Sequence, residues 1–308
     1  MKHTKPLHWI LFLLISLASC KGEKHKDPNE KAKDQIVNEV KSNPIATKIH
    51  PLPYYNVPNN ITRTIVQDET GNIWLATFEG IFKYDGNSFS NISKELGQIR
   101  FFSVMADSKN KLWFGSIGSG GYYYDGNYFK NFTTDDGLLN NEVVCIYEDK
   151  IGHIWFGTNG GLSRYDGNNF RNYVLNGNTI IEDQTGQHIP NMKRPMNEVN
   201  AIIEDKTGTF WVGTRHSTFR YDGKTFTTVT QNGKPFTNVR SIIEDKKGTI
   251  WLGGNDGLWR YDGTTFKNIT ENFVGYIYED KKGNIWTSSE SKNGWALSRY
   301  DAATIANE

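Results

Sequence analysis

Residues 241–270 read SIIEDKKGTIWLGGNDGLWRYDGTTFKNIT, and edited versions of this stretch recur along the chain, six in all. Every version has one tryptophan in its first half, at Trp74, Trp113, Trp155, Trp211, Trp251 and Trp286. Every version then has a Tyr-Asp pair, whose tyrosines are Tyr84, Tyr124, Tyr165, Tyr221, Tyr261 and Tyr300. A period near 40 residues with four short strands per unit is typical of a β-propeller blade. The sequence therefore predicts an all-β propeller.

Turn residues divide the repeat unit into four strands with alternating apolar positions. In the quoted stretch the predicted strands are Ser241–Glu244, the segment with Ile250 and Trp251, Leu258–Tyr261, and Phe266–Ile269. Gly248 falls where the first hairpin requires a positive φ, and the second repeat places Asn110 there. The recurring tryptophan is predicted to be a core residue wedged between neighbouring blades.

Six repeats predict six four-stranded blades within a propeller domain that spans residues 51–308. The interval between the third and fourth repeats is about 16 residues longer than the others, and residues 173–199 are interpreted as an elaborated loop. Because 180–186 resemble the opening of a unit, a seven-bladed ring is the alternative. Leu52–Val57 precede the first repeat and are predicted to add a strand to the last blade, which would close the ring.

The motif Ile-Glu-Asp-x-x-Gly-x-Ile-Trp-x-Gly-Thr-x-x-Gly-Leu-x-Arg-Tyr-Asp-Gly is clearest at 146–167 and 243–263. It resembles the two-component regulator propeller repeat, and the resemblance extends over roughly residues 60–305. Propellers of that family sense ligands outside the cytoplasmic membrane, often as the input half of hybrid histidine kinases. The resemblance therefore implies an extracytoplasmic sensor or sensor-accessory module. Since no kinase or DNA-binding segment follows the repeats, we expect a stand-alone lipoprotein.

Residues 1–20 have the pattern of an export signal, with Lys2 and Lys5 ahead of a short apolar run. The run ends in Leu17-Ala18-Ser19-Cys20, which resembles a bacterial lipoprotein box and makes Cys20 the predicted lipidation site. The alternative is an ordinary signal peptide with a chance cysteine. Lys21 favours anchoring in the outer membrane. Residues 21–50, with seven lysines and five acidic residues, are predicted to be a flexible charged tether.

Composition limits the classes of function. The formal net charge is +1 and no basic stripe recurs, so nucleic-acid binding has no electrostatic basis. Cys145 is the only cysteine besides Cys20, so one chain with a lipid-modified Cys20 could form no internal disulfide. Nothing in the sequence indicates a cofactor or a metal site.

Variable residues are predicted to gather at one rim, where the interblade loops meet the loops between second and third strands. The loops between second and third strands carry Glu79, Arg215 and His216, and the long insert carries Arg194. Five residues before each turn aspartate, the innermost strands carry Arg63, Phe102, Val144, Asn200, Arg240 and Gly275. Arg63, Asn200 and Arg240 are predicted to grip an anionic or polyhydroxylated ligand, since guanidinium groups match carboxylates. Alternatively, they are solvated or pair with Glu142 and Glu198.

Two classes of function remain open. The first is a lipid-anchored propeller that binds a glycan or another small polar molecule in the cell envelope. The second is an envelope scaffold that uses the same rim to bind a partner protein. A streptogramin-lyase-like enzyme, with His216 as its rim histidine, is less favoured because neither a positioned partner nor metal ligands are readable. We expect a protein that is not an enzyme.

Overall fold

The computed structural model describes residues 57–183 and 197–301, and these form six antiparallel blade sheets, which follow one another along the chain, and one two-stranded hairpin. In each sheet the strands lie in chain order, so that the first strand of every blade is innermost. Residues 52–308 form one compact unit. The prediction of a six-bladed propeller is confirmed, and the seven-bladed alternative is wrong.

The first three blades comprise thirteen strands. Blade 1 contains β1 (Thr62–Gln67), β2 (Ile73–Thr77), β3 (Gly80–Tyr84) and β4 (Phe89–Asn91). Blade 2 contains β5 (Phe101–Ala106), β6 (Leu112–Ser116), β7 (Gly121–Tyr124) and β8 (Phe129–Phe132). Blade 3 contains β9 (Val143–Glu148), β10 (Ile154–Thr158), β11 (Gly161–Tyr165), β12 (Phe170–Asn176) and β13 (Thr179–Asp183). Two short 3-10 helices, Lys94–Leu96 and Thr134–Asp136, lie in the connections after blades 1 and 2.

The remaining blades follow the long connection. Blade 4 contains β14 (Val199–Glu204), β15 (Phe210–Thr214), β16 (Thr218–Tyr221) and β17 (Phe226–Thr228). A small hairpin follows, made of β18 (Thr230–Gln231) and β19 (Lys234–Pro235). Blade 5 contains β20 (Ser241–Glu244), β21 (Ile250–Gly254), β22 (Gly257–Tyr261) and β23 (Phe266–Thr270). Blade 6 contains β24 (Val274–Glu279), β25 (Ile285–Ser291) and β26 (Gly294–Tyr300).

Two blades depart from the predicted four strands. In blade 3, β13 pairs with β12 as a fifth strand, so the interpretation of 173–199 as a loop is wrong for its first half. The physical reason is that apolar and polar residues alternate along this segment. One face of the added hairpin therefore buries the side chains of Tyr173, Leu175 and Ile180. In blade 6 the described residues provide three strands. The predicted strand at Leu52–Val57 lies outside the described residues except for Val57.

The turns are as the sequence predicts. Gly248 has a φ of 89°, and Asn110 takes its place in blade 2 with a φ of 57°. The small hairpin between blades 4 and 5 was not predicted. Its turn is Asn232-Gly233, with φ values of 51° and 75°, which is a strong local hairpin signal that sequence reasoning overlooked.

Within the described residues the core is divided into five apolar clusters, and each one joins two neighbouring blades. A tryptophan of one blade packs against the inner strands of the next, as Trp251 does against Val274 and Ile277 of blade 6. The recurring tryptophans are buried in blades 1–5, which confirms the predicted wedge for these blades. Among the described residues, no helix has the length and apolar character needed to cross a membrane.

Candidate ligand-binding site

The propeller has two ends with different chemistry. The end that carries the turns between first and second strands, and between third and fourth strands, is called the turn end here. The opposite end, with the interblade loops and the loops between second and third strands, is called the mouth. All of the predicted ligand-binding residues that the structure describes lie at the mouth: Arg63, Glu79, Asn200, Arg215, His216 and Arg240.

The turn end repeats a single arrangement in all six blades. One carboxylate oxygen of the turn aspartate accepts a hydrogen bond from the tryptophan indole, at 2.8 Å in Asp205–Trp211 and 3.0 Å in Asp280–Trp286. The other oxygen accepts backbone N–H groups of the turn itself. These hydrogen bonds, led by the one from Trp286, hold the pKa of Asp280 well below its ordinary value. The turn aspartates are therefore structural.

At the mouth, a β-bulge displaces one residue of the innermost strand from its ladder. The pairing of β1 with β2 skips Arg63, and the pairing of β14 with β15 skips Asn200. The bulge recurs at the equivalent residues Phe102, Val144 and Gly275. In blade 5 the equivalent Arg240 lies just before β20, and its N–H donates to the Gly253 carbonyl at 2.8 Å. A bulge re-aims a side chain without ending the sheet, which explains why these positions vary while the strands persist.

Arg63 lies against an aromatic side chain from the next blade. Its guanidinium carbon is 4.3 Å from the ring centroid of Phe102, which is the bulge residue of blade 2. Phe102 in turn stacks on Phe78, with centroids 5.5 Å apart, and Arg100 lies 5.9 Å from the Phe78 ring. Blades 1 and 2 thus present two rings flanked by two guanidinium groups. Among the described residues, no acidic side chain forms a salt bridge with Arg63.

Arg240 is half-buried at the mouth in blade 5. Its Nε donates to Oδ1 of Asn238 at 2.9 Å, so the guanidinium keeps donors unused by this contact. Burial, and after it the positive charge of Arg240, lower the pKa of Arg63. Burial also lowers the pKa of Arg240, against the opposing effect of Glu198. The positive charge of Arg240 in blade 5 therefore acts on Arg63 in blade 1.

Buried amides without partners lie on the side of the mouth formed by blades 3 and 4. Asn200 Nδ2 has no hydrogen-bond partner among the described residues, and the same holds for Oδ1 of Asn159 and Oδ1 of Asn197. The Asn159 amide group also donates to Glu142 at 3.2 Å. A buried polar group without a partner is costly, so such groups typically bind water or a ligand.

Arg215 is engaged, in contrast to Arg63. It forms an ion pair with Glu198 at 3.4 Å, one of the two acids that were considered as partners of Arg63 and Arg240. The chain of contacts continues because the Arg215 carbonyl accepts from the Asn238 N–H, and the Asn238 amide donates to Asn255 at 2.8 Å. Arg215 therefore helps to order the loops of blades 4 and 5 and is the less available cation.

The other predicted residues contribute less. Glu79 accepts a 2.6 Å hydrogen bond from the backbone N–H of Asn59, which fixes the entry of the chain into blade 1. His216 is exposed, and its backbone N–H donates to Thr214 Oγ1 at 3.3 Å. Arg194 and Cys20 lie outside the described residues.

Four further residues lie at the mouth and are not among the predicted ligand contacts, although Arg100 and Asn159 fall in the loops predicted to form the rim. Phe78 and Arg100 complete the stack on Phe102, and Asn159 and Asn197 supply unpaired amide oxygens. Their position in the chain could have indicated them, because each of the four residues lies in an interblade loop or in a loop between second and third strands. Within 57–183 and 197–301, no group of three or more His, Cys, Asp or Glu side chains could hold a metal ion. The arrangement offers cationic, amide and aromatic contacts, which are suited to binding.

The protein is a β-propeller, because it has six sheets with innermost first strands and five apolar clusters between blades of the described residues. The family model described as "Two component regulator propeller" matches residues 56–79, 137–160, 194–216 and 233–256. The chain carries repeats of the two-component regulator propeller family, which confirms the family that the motif indicated.

Individual relatives cover this chain unevenly. Histidine kinase P4 of Formosa agariphila is 48% identical over 48 residues, which are 16% of this chain and 4% of that protein. The extracellular domain of a hybrid two-component system from B. thetaiotaomicron is 23% identical with a TM-score of 0.48, covering 78% of this chain and 38% of that one. This chain thus spans only a small part of the kinase and under half of the extracellular domain.

A third similarity is to an enzyme. A catalytically inactive virginiamycin B lyase from Staphylococcus aureus, solved with quinupristin, is 15% identical with a TM-score of 0.57. The match covers 80% of this chain and 86% of the lyase. At this identity the similarity concerns the fold alone.

Proposed function

We propose that this protein is a lipid-anchored extracytoplasmic propeller that binds a small anionic or polyhydroxylated ligand at the mouth, as a sensor or sensor-accessory module. The observation that carries the proposal is the pair Arg63 and Arg240. Burial, and after it the positive charge of Arg240, lower the pKa of Arg63, and Arg63 forms no salt bridge with an acidic side chain among the described residues. A ligand carboxylate between them would relieve that repulsion and form charge-assisted hydrogen bonds.

The surroundings of the pair suit a sugar acid or a similar molecule. Phe102 and Phe78 offer flat apolar faces beside Arg63, and Asn200 offers an unpaired amide donor. Small-molecule sites typically combine such apolar surface with a few placed polar groups. The repeat family supports an extracytoplasmic sensory role, because its name refers to two-component regulators.

A binding screen tests the proposed ligand class. Glucuronate and galacturonate, with glucose and galactose as neutral counterparts, would be added at millimolar concentration while thermal unfolding of the protein is followed. We expect the acids to raise the unfolding midpoint more than the neutral sugars do. In the Arg63→Ala/Arg240→Ala variant, binding should weaken by about 1.5–3 kcal/mol for each charge-assisted hydrogen bond lost.

The matched control removes two cations from the turn end. Lys246→Ala/Lys247→Ala changes the net charge equally and should leave the affinity unchanged. If the control loses binding while the mouth variant retains it, the ligand binds at the turn end and the proposal is wrong.

Lipid anchoring is tested separately from ligand binding. Cys20→Ser should move the protein from the membrane fraction to the soluble fraction, because it removes the predicted lipidation site in Leu17-Ala18-Ser19-Cys20. Immunoblotting of the two fractions measures the change. A variant that stays with the membrane, or a parent that is already soluble, would show that the anchor is something else.

A further inference from the structure

The hairpin between the second and third strands of blade 6 is longer than its equivalents. β25 has seven residues, whereas the second strand of every other blade has five. The added residues lie at the mouth, because β25 continues for five positions after its tryptophan, to Ser291, whereas β21 ends three positions after its own, at Gly254. Blade 6 therefore carries its strand pairing further toward the mouth than the other blades do.

Trp295 lies on this extension, and its ring reaches the innermost strand of the blade. It pairs with Glu290 across the hairpin. Its indole contacts the edge of the Phe273 ring, with centroids 5.8 Å apart. The Glu290 N–H donates to the Phe273 carbonyl at 2.8 Å, which ties the hairpin to the segment leading into β24. The place of the indole is therefore set by contacts within blade 6.

Gly275 leaves an open space beside this indole. It is the bulge residue of blade 6, and the other five blades carry a side chain at the equivalent position. A Cβ atom built on Gly275 would lie 3.4 Å and 3.5 Å from two carbon atoms of the Trp295 ring, and 3.5 Å from Cε1 of Phe273. A side chain larger than a methyl group would therefore fill the space that the two rings border.

This space lies between the two mouth arginines in the order of the blades. Arg240 belongs to blade 5 and Arg63 to blade 1, and blade 6 comes between them in the ring. The charge of Arg240 contributes, after burial, to the lowered pKa of Arg63, so both guanidinium groups act on one region of the mouth. A ligand bound over Gly275 would therefore have a cation on either side.

The aromatic rings near the mouth differ in how much of their surface is free. Trp295 is 64% exposed, whereas Tyr122 and Phe236 are 6% and 3% exposed and belong to the core. Phe78 and Phe102 stack on each other and lie against guanidinium groups. The exposed indole face of Trp295 is therefore available to an apolar ligand surface, and large aromatic faces contribute strongly to such contacts.

Glu290 adds a hydrogen-bond acceptor beside the indole. Residues that pair directly across antiparallel strands project from the same face of the sheet, and Glu290 pairs with Trp295. Glu290 is exposed and forms no salt bridge within the described residues. An ionised carboxylate accepts hydrogen bonds from hydroxyl groups and repels a second anion. The surroundings therefore favour a ligand with several hydroxyl groups and a single acidic group.

We propose that the space over Gly275 binds the ring of a cyclic sugar acid, a hexuronate, with one face of the ring stacked on Trp295 and the carboxylate between Arg240 and Arg63. This assignment rests on the proposed function, since it uses the same pair of arginines. It adds the sugar ring as the feature that is recognised. Hydroxyl groups on the bound ring donate to Glu290.

Two acids of equal charge separate recognition of the ring from recognition of the charge. Glucuronate closes into a six-membered ring, whereas gluconate is an open chain with the same single carboxylate. Isothermal titration calorimetry should show tighter binding of glucuronate by the parent. Trp295→Ala should weaken glucuronate binding about 2- to 12-fold, the range for an aromatic contact, and leave gluconate binding unchanged. Trp295→Phe, which keeps a ring, should recover part of the loss.

Two further variants test the space itself. Gly275→Val should weaken glucuronate binding more than Trp295→Ala does, because it fills the space, and blade 3 already carries Val144 at the equivalent bulge. Leu297→Ala is the matched control. Leu297 is 73% exposed and lies two positions along the strand from Trp295, so its replacement should leave the affinity for glucuronate unchanged.

Unfolding without ligand separates binding from packing. Since Trp295 is exposed, Trp295→Ala should keep the unfolding midpoint within about 2 °C of the parent. A fall as large as that of Trp251→Ala would show that the indole is a packing residue, and the proposal would be wrong.

The binding data distinguish failure of this proposal from failure of the proposed function. If Trp295→Ala binds glucuronate as tightly as the parent, or loses both acids equally, while Arg63→Ala/Arg240→Ala loses binding, the stacking is wrong and the proposed function stands. If the parent binds neither acid, both are wrong.

Discussion

At the turn end every blade uses the same residues for the same contact, whereas at the mouth six equivalent positions carry five kinds of side chain. The turn aspartate binds a tryptophan indole in all six blades, from Asp68–Trp74 to Asp280–Trp286. The bulge position carries arginine twice, and otherwise phenylalanine, valine, asparagine or glycine. The difference shows that the repeated structural contacts lie at one end and the variable side chains at the other.

The largest expected effect comes from the tryptophan wedge. Trp251 is fully buried between blades 5 and 6, and its replacement by alanine should lower the free energy of unfolding by about 3–5 kcal/mol. Thermal and denaturant unfolding measure this loss.

Trp286 is the matched control because it occupies the same position in blade 6 and is only half-buried. Trp286→Ala should cost clearly less than Trp251→Ala. If the unfolding midpoint of Trp251→Ala lies within a degree or two of that of the parent, Trp251 is not a core residue.

A smaller loss is expected from the carboxylate that holds a wedge in place. Asp205→Ala leaves the buried indole N–H of Trp211 without its acceptor, and should cost about 1.5–3 kcal/mol, the range for a hydrogen bond to a charged group. Asp222→Ala is the control, since Asp222 accepts only the exposed backbone N–H groups of Lys224 and Thr225. Equal losses in the two variants would show that the indole contact contributes nothing.

The same carboxylates predict a dependence on pH. Although burial opposes it, hydrogen bonds from Trp74, Asn72 and Thr70 hold the pKa of Asp68 below its ordinary value of 3.8. A lowered folded pKa contributes stability that is fully present above the unfolded value and is lost as the pH falls below it. Unfolding midpoints should therefore be steady from neutral pH to about 5 and fall steeply below about 4. A flat profile down to pH 3 would contradict this origin of stability.

The smallest effect, with the opposite sign, is expected at the mouth. Asn200 buries an Nδ2 that has no partner among the described residues, so Asn200→Ala should leave stability unchanged or raise it by up to about 1 kcal/mol. Asn131→Ala, which removes a 2.9 Å hydrogen bond to the Ser119 carbonyl, should lower it by about 0.5–1.5 kcal/mol. Destabilisation by Asn200→Ala that equals the loss in Asn131→Ala would show that the Asn200 amide is as well paired as the Asn131 amide.

The blades could be predicted from the sequence because period and turn chemistry are local. Gly248, Trp251 and the Tyr261-Asp262 pair predicted the strand boundaries of blade 5 almost to the residue. The fifth strand of blade 3 was missed because a long interval was taken for a loop, although Tyr173, Leu175 and Ile180 alternate as a strand pair should.

The candidate site could be predicted only in part. Counting back from the turn aspartate placed Arg63, Asn200 and Arg240 at one end, and the structure agrees. The spacing of the sequence could not show which arginine forms an ion pair. That depends on whether an acidic side chain comes within reach across a loop, as Glu198 does for Arg215. The stacking of Phe102 on Phe78 is likewise a contact between blades, with no sequence signature of its own.

The bulge at the mouth also has an evolutionary consequence. A residue that stands outside the ladder can be exchanged without shifting the register of its strand, so each of the six positions can drift independently after repeat duplication. Few such exchanges would touch the tryptophan wedges or the turn aspartates at the far end. A lineage could therefore explore new specificities one blade at a time, while the framework that presents them stays under separate selection.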